Sequence, residues 1–193
     1  MKKLLLSLAA CATLGMSMNA SADDHTVTLG YAESKMPVNY LGDITLKGAT
    51  LKYRYEWDNP VSIITSLTYL GGNLSFDGQR KNGNRVSTYD KYRNWSIAAG
   101  PAYRFNEFIS IYGLAGINLF KHNSGYKESD NNKLIEDSNI KYRTTSFLYG
   151  AGVQINPMPN FTLDVGYEGT RNSSGDGSTL KLNGFNIGVG YRF

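Results

Sequence analysis

Seven charged side chains stand at alternating positions within otherwise apolar segments of the sequence. They are Lys52, Arg54, Glu56, Arg104, Asp164, Glu168 and Arg192. Because residues i and i+2 of a β-strand share a face, these four cations and three anions would gather on one side of a sheet. Such a group could conduct ions or protons across a membrane, or it could fill an enclosed space with salt bridges. We expect the salt-bridged filling, with Arg54 or Arg104 paired to one of the three carboxylates.

Other residue types that commonly do chemistry are sparse or unsuitably spaced. His25 and His122 lie far apart and have no cysteine partner, which argues against a metal site. The sequence contains no Gly-x-Ser-x-Gly, no His-Glu-x-x-His and no phosphate-binding loop, and the spacing of Ser, His and Asp marks no triad. We expect no cofactor and no enzymatic activity. An outer-membrane protease or lipase is the weaker alternative.

The first 22 residues have the pattern of a secretory signal peptide. Lys2 and Lys3 precede an apolar run that ends in small residues, which predicts cleavage after Ala22. The run is too short for a membrane anchor, and a lipoprotein box at residues 8–11 would leave an even shorter apolar core. Residues 23–193 then contain no cysteine, which excludes disulfides. Losing the two lysines lowers the formal net charge from +4 by two, too little to indicate nucleic-acid binding.

Residues 23–193 contain eight segments in which apolar and polar side chains alternate. They lie at 27–32, 51–57, 61–69, 94–105, 109–119, 146–156, 161–168 and 185–193. A period of two predicts β-strands. In the last segment, which should pair with the first, odd positions are apolar or aromatic and even positions are Asn, Gly or Arg. The chain's 21 Gly and 14 Tyr suit a sheet that is apolar on one side only.

The connections between these segments alternate in length. Short turns are expected near 58–60, 106–107 and 156–160, and long polar links near 33–46, 71–92, 121–143 and 171–181. This predicts an eight-stranded antiparallel up-and-down transmembrane β-barrel, residues 23–193, with three short periplasmic turns and four long extracellular loops. We expect a monomer in the outer membrane. Pro101, inside the fourth segment, predicts a bulge or a missing ladder bond.

A soluble lipocalin-like barrel is the alternative, and it has the opposite polarity. Periodicity alone does not decide which face points outward. The charges on the polar faces and the aromatic residues near the strand ends favour a barrel in lipid, because two aromatic girdles mark the two membrane interfaces. The turn-side aromatics are Tyr55, Trp57, Tyr103, Phe105, Phe161 and Phe193, and the loop-side aromatics are Tyr31, Tyr69 and Trp95.

Short motifs in most of these segments resemble one family. They include residues 51–56 (LKYRYE), 100–104 (GPAYR), 149–152 (YGAG), 164–168 (DVGYE) and 188–193 (GVGYRF). The chain resembles the Ail/Lom/OmpX family of enterobacterial outer-membrane proteins, with residues 169–174 and 183–185 closest to the virulence-associated PagC and Rck branch. The resemblance implies an eight-stranded barrel. It also implies surface functions: host-cell or matrix attachment, invasion, and serum resistance through capture of complement regulators.

The second and third polar links carry charges of both signs, with five cations against two anions in the second. The candidate binding residues are Arg80, Lys81, Arg85, Lys91, Arg93, Lys127 and Lys133. They could form a basic surface for sulfated glycans, lipopolysaccharide phosphates or acidic host proteins, or simply keep the links solvated. In the second case the protein would be a structural barrel that stabilises the outer membrane without a dedicated host partner.

The aromatic end of the chain generates a first prediction. Tyr191 and Phe193 resemble the C-terminal signal by which the outer-membrane assembly machinery recognises its clients. Deleting Phe193 should lower the amount of assembled protein in membranes more than it lowers the melting temperature of barrels already folded. Membrane yield and thermal melting in detergent measure the two effects, and a normal yield with a lowered melting temperature would contradict the prediction.

Overall fold

Eight β-strands make up nearly all of the structure. The computed structural model describes residues 24–38, 42–79, 84–130, 133–173 and 179–193. The strands are β1 (Asp24–Val38), β2 (Gly42–Glu56), β3 (Val61–Gln79), β4 (Arg85–Arg104), β5 (Ile109–Asp130), β6 (Lys133–Met158), β7 (Phe161–Ser173) and β8 (Thr179–Arg192). Among these described residues, no helix is long and apolar enough to cross a membrane. The predicted signal peptide, residues 1–22, lies outside them.

The strands form a closed barrel in chain order, and every neighbouring pair is antiparallel. The seam pairs β1 with β8, with Leu29 opposite Val189 and Tyr31 opposite Ile187. The predicted eight-stranded up-and-down barrel is therefore confirmed, as is the pairing of its first and last strands. Closure leaves no sheet edge within the barrel, which a lipid environment requires.

Short turns join the strands at the end of the barrel where β1 begins and β8 ends. In the β2–β3 turn, Asn59 Oδ1 accepts a hydrogen bond from the Val61 backbone N–H at 3.1 Å. In the β4–β5 turn, Asn106 Oδ1 accepts from the backbone N–H groups of Phe108 and Ile109 at 2.9 and 2.8 Å. These side chains replace ladder bonds where the chain reverses, which is why Asn marks the turns in the sequence.

At the opposite end, the polar links are themselves largely strand. The ladder between β3 and β4 continues to Gln79 opposite Arg85, and that between β5 and β6 to Asp130 opposite Lys133. Alternation of apolar and polar residues is reduced to short runs there, because both faces of a projecting hairpin meet water. Backbone pairing continues beyond the long alternating segments, so the strands extend further than the sequence pattern indicated.

The projecting part of the barrel is asymmetric. Pairing of β2 with β3 ends at Lys47 opposite Gly71, and pairing of β6 with β7 begins at Phe147 opposite Arg171. Strands β3 to β6 continue beyond these points as a four-stranded sheet. We call this sheet the wall; it comprises residues 72–79, 85–93, 121–130 and 133–146.

The inner face of the barrel is mainly polar near the short turns, apart from a buried apolar cluster on β3 to β6, and it is apolar near the wall. The cluster on β3 to β6 consists of Ile64, Ala98, Ala102, Tyr112, Leu114 and Leu148. An apolar cluster, which we call the cap, closes the interior below the wall. It consists of Ala32, Met36, Ile44, Leu46, Leu70, Tyr92, Phe120 and Leu182. The side chains of the cap come from six strands, β1 to β5 and β8. On the other two strands, β6 and β7, the buried residues Ser146 and Thr170 are hydrogen-bonded to each other at 2.8 Å. Apolar side chains thus cover the charges that lie deeper in the barrel.

Pro101 interrupts the ladder as expected. Residues 100 and 101 of β4 have no partner on β5, whereas Ala99 opposite Ala115 and Ala102 opposite Tyr112 keep one register on either side. The missing ladder bond is confirmed, and there is no bulge at this point. The interruption faces β5 only, because Pro101 remains opposite Ile63 on β3.

Glycines on the inner face make room for large side chains from other strands, which generates a second prediction. A Cβ on Gly166 would lie 2.5 Å from Tyr112 Oη and 2.8 Å from Asn186 Oδ1, whereas one on Gly113 would meet nothing within 4 Å. Gly166→Ala should therefore destabilise the barrel by about 1–3 kcal/mol through overpacking, and Gly113→Ala should not. Urea unfolding in detergent compares them; equal midpoints would contradict the prediction.

Candidate functional site

Three arginines converge on one carboxylate inside the barrel near the short turns. Arg104 Nη2 donates to Glu56 Oε2, and Arg54 Nη2 lies 3.4 Å from the same oxygen. Arg192 Nε lies 3.5 Å from Glu56 Oε1, and Arg192 also forms an ion pair with Asp24. We call these five residues the lower cluster.

A lysine occupies the centre of the barrel with all its donors engaged. Lys52 Nζ forms an ion pair with Asp164 and donates to Tyr112 Oη at 2.5 Å and Asn186 Oδ1 at 2.6 Å. The side chains of Lys52 and Asp164 are each 1% exposed. An ammonium has three hydrogens, so three oxygen partners satisfy it away from water. Glu168, which accepts hydrogen bonds from the Ser66 and Thr68 hydroxyls, completes this upper cluster.

Gln154 joins the two clusters. Its Oε1 accepts from Arg54 Nη1 and its Nε2 donates to Asp164 Oδ2, both at 3.1 Å. The lower cluster has one cation more than anions and the upper cluster one anion more, so the combined network is formally neutral. Because neutrality and hydrogen bonding offset the loss of hydration, this arrangement suits a structural filling.

All seven charged residues named from the sequence lie in this network. Sequence reasoning missed Asp24, Tyr112, Gln154 and Asn186. Tyr112, Gln154 and Asn186 lie on the predicted polar faces, but they are uncharged and the selection considered only charged residues. Asp24 lies on the same face of β1 as Thr26 and Thr28, so extending the alternation by two steps towards the N-terminus could have found it.

Cations cover the outer face of the wall. The exposed residues there are Arg85, Lys91, Arg93, Lys121, Lys127, Lys141 and Arg143. Four of these, Arg85, Lys91, Arg93 and Lys127, were candidate binding residues. Arg80 and Lys81 lie outside the described residues, and of Lys133 only the backbone is described. Lys121, Lys141 and Arg143 were not among the candidates, although Lys121 continues the outward series of Ile117 and Leu119.

The strand register aligns these cations in rows. Arg93 on β4 lies opposite Lys121 on β5, which lies opposite Arg143 on β6. Neighbouring strands are about 4.8 Å apart, so the row spans roughly 10 Å. Like charges directly opposite one another repel. A bound anion would relieve that repulsion, which makes this face suitable for ligands with closely spaced negative groups.

The inner face of the wall has a different character. Its exposed apolar side chains are Leu74, Phe76, Ile140 and Tyr142, with Phe76 71% and Ile140 67% exposed. At its base, His122 Nε2 lies 2.9 Å from Asp90 Oδ1, and the His122 ring stacks on Tyr92 with centroids 4.5 Å apart. The wall thus presents a basic outer surface. Among its described side chains, the inner surface is mainly apolar or uncharged, with the Asp90–His122 pair at its base.

The structure places the two aromatic residues of the expected assembly signal at the barrel seam. The Tyr191 and Phe193 rings stack with centroids 6.2 Å apart. Both point outward at the end that carries the short turns. Within the described part of the chain, no group of three or more His, Cys, Asp or Glu side chains could hold a metal ion.

An outward apolar band between two aromatic rims, around a polar interior, defines this molecule as an outer-membrane β-barrel. Tyr69 and Trp95 contact each other at the rim near the wall, and Tyr103 and Phe105 at the opposite rim. The wall therefore projects to the cell exterior, and the short turns face the periplasm.

The chain belongs to the Ail/Lom family, since the model for the enterobacterial Ail/Lom protein matches residues 1–193. It is 40% identical to the virulence membrane protein PagC of Salmonella typhimurium and 39% identical to outer membrane protein X of Enterobacter cloacae, over the full length of each pair. It also resembles the crystal structure of Ail, the attachment invasion locus protein of Yersinia pestis, in complex with the heparin analogue sucrose octasulfate. That match has 30% identity and a TM-score of 0.67, and covers 90% of this chain and all of the other.

The neutral network generates a third prediction. Asp164→Asn would leave the Lys52 ammonium buried without its counter-charge, and should destabilise the barrel by about 3–5 kcal/mol. Glu168→Gln is the matched control, because its amide oxygen can still accept from Ser66 and Thr68; it should cost about 1 kcal/mol or less. Urea unfolding in lipid vesicles, followed by gel mobility without heating, measures both, and similar losses would refute the ion-pair argument.

Proposed function

We propose that this outer-membrane protein acts at the cell surface through its wall, in attachment to and invasion of host cells and in serum resistance. The observation that carries the proposal is the row of Arg93, Lys121 and Arg143 on the outer face. These cations lie just outside the aromatic rim at Trp95, where lipopolysaccharide phosphates and, further out, host glycans come within reach.

The candidate ligands of this face are polyanions. Ail of Yersinia pestis was crystallised with a heparin analogue, a compact sulfated molecule. Sulfated glycans of host matrix or cell surfaces would use the same chemistry here, and lipopolysaccharide phosphates would use its lower part. The inner face, with its exposed Phe76 and Ile140, suits host proteins, including complement regulators. Catalysis, a cofactor and nucleic-acid binding form no part of the proposal, and we propose a monomer.

A structural barrel is the second candidate. The neutral interior network and the closed seam would stabilise an outer-membrane protein without any host partner. The 39% identity to outer membrane protein X is as compatible with this candidate as the PagC match is with the first. The two candidates differ in whether the wall has a ligand.

A matched pair of charge variants tests the proposal. The wall variant replaces Lys91, Arg93, Lys121 and Arg143 with Gln. The control variant replaces four exposed, outward-facing cations on the shorter strands with Gln. They are Lys35, Lys47, Arg171 and Lys181. Both changes remove four positive charges, so a nonspecific charge effect would be equal in the two.

We expect the wall variant to bind immobilised heparin and epithelial cells roughly tenfold more weakly, because four screened surface contacts contribute about 0.2–1 kcal/mol each. Binding by the control should change less than twofold, and binding by the unmodified protein should weaken with salt. Heparin binding is also measured in vesicles with and without lipopolysaccharide. This comparison distinguishes lipopolysaccharide of the protein's own membrane from host glycans as the ligand of the wall.

Serum survival is measured in a non-adherent, serum-sensitive strain that expresses each protein. A further variant replaces the two hairpins of the wall with short turns. If cell binding and serum survival persist in that shortened protein, the surface function is wrong and the structural barrel is the better description.

A further inference from the structure

The C-terminal tripeptide is held by residues at the start of β1. The backbone N–H of His25 donates to the Phe193 carbonyl at 2.7 Å, and the Phe193 N–H donates back at 2.9 Å. On the outer face the His25 ring stacks on the Phe193 ring, with centroids 5.7 Å apart and planes at 25°. On the inner face Asp24 pairs with Arg192.

The His25 ring is itself fixed by β2. Its Nδ1 lies 2.8 Å from Tyr53 Oη, and its ring contacts those of Tyr53 and Tyr55 with centroids 6.0 and 5.2 Å apart. His25 is only 8% exposed, although it points to the outside of the barrel. A preformed β1–β2 hairpin could therefore present this ring before β8 arrives.

The remaining edge of the tripeptide is held by the β6–β7 turn. The Arg192 N–H donates to the Asn160 carbonyl at 3.0 Å, and Asn160 Nδ2 donates to the Arg192 carbonyl at 2.9 Å. Asn160 and Arg192 are 32 positions apart in the sequence, whereas Asp24 and Arg192 are 168 positions apart. Because long-range contacts require the larger loop closure, β8 should pair with β7 first and with β1 last.

Until β1 arrives, the other edge of β8 has unpaired backbone groups, which lipid does not tolerate. This edge is therefore completed only when the His25 backbone meets the backbone groups of Phe193.

We propose that Asp24 and His25 form a clasp for residues 191–193, which captures this segment as β8 meets β1 and so speeds the closure of the barrel. The ring of His25 stacks on that of Phe193, and the backbone of His25 pairs with the backbone of Phe193. Asp24 takes up the Arg192 guanidinium on the inner side. The aromatic residues of the periplasmic rim lie at the membrane interface. The clasp gives part of this rim a second role, which is to bind residues 191–193.

Seam closure can be timed with a disulfide. Leu29 and Val189 are directly opposite across the seam, so cysteines at these positions can bond only after β1 has met β8. Ile97 and Ile117, opposite each other on β4 and β5, provide the same readout away from the seam. Both pairs are followed in the full-length protein during pulse-chase in cells.

His25→Ala should slow the 29–189 crosslink roughly three- to tenfold, the effect of losing one or two aromatic contacts in the closing step, with little change at 97–117. Phe105→Ala is the control, because Phe105 stands on the same rim but contacts Tyr103 rather than the seam. His25→Phe keeps an aromatic ring but loses the hydrogen bond to Tyr53. Its 29–189 crosslink should form at nearly the normal rate.

Three results would overturn the clasp. One is an unchanged 29–189 crosslinking rate in His25→Ala. Another is an equal delay in His25→Ala and Phe105→Ala, which would make any loss at this rim equivalent. The third is a delay in His25→Phe as large as in His25→Ala, which would show that the stacked ring does not matter.

Discussion

Unpaired backbone groups have no hydrogen-bonding partner in a lipid bilayer, and this constraint shapes the whole molecule. It requires β8 to pair with β1, since any other arrangement leaves two edges in lipid. The seam joins the most distant parts of the described chain, so it is also the most demanding pairing to form. Contacts of His25 and Asp24 with the last three residues strengthen it at the periplasmic end.

Closure creates a second constraint, because eight strands enclose a space that side chains must fill. Near the periplasm the filling is charged and hydrogen-bonded, and near the wall it is the apolar cap. The order of these layers has a physical reason. Arg192 and Asp24 keep contact with water at the periplasmic mouth, whereas Lys52 and Asp164, deeper inside, need each other and Gln154. A neutral network can lie under a cap of apolar side chains without leaving a charge unpaired.

The sequence predicted the barrel well because lipid and an enclosed interior demand opposite polarities on alternate residues. The same rule explains where the prediction stopped short. Both faces of residues 73–79 and 138–143 are exposed, so alternation survives there only in short runs, such as Leu74 and Phe76 or Ile140 and Tyr142. Charged residues on inward faces were identifiable, but their partners depend on register. Glu56 receives Arg104 from β4 and Arg192 from β8, a meeting that no spacing in the sequence reveals.

The membrane-spanning part of the barrel stabilises the wall that projects from it. Rows of like charges on the wall oppose pairing of β4, β5 and β6, and a free hairpin bearing them would be poorly stable. Here the strands continue into a barrel with a charge-balanced interior and a closed seam, which stabilise the register from below. The wall can therefore hold Arg93, Lys121 and Arg143 side by side in water. In the proposed function, a polyanion would bind to cations that are already aligned, so little ordering of the wall would oppose its binding.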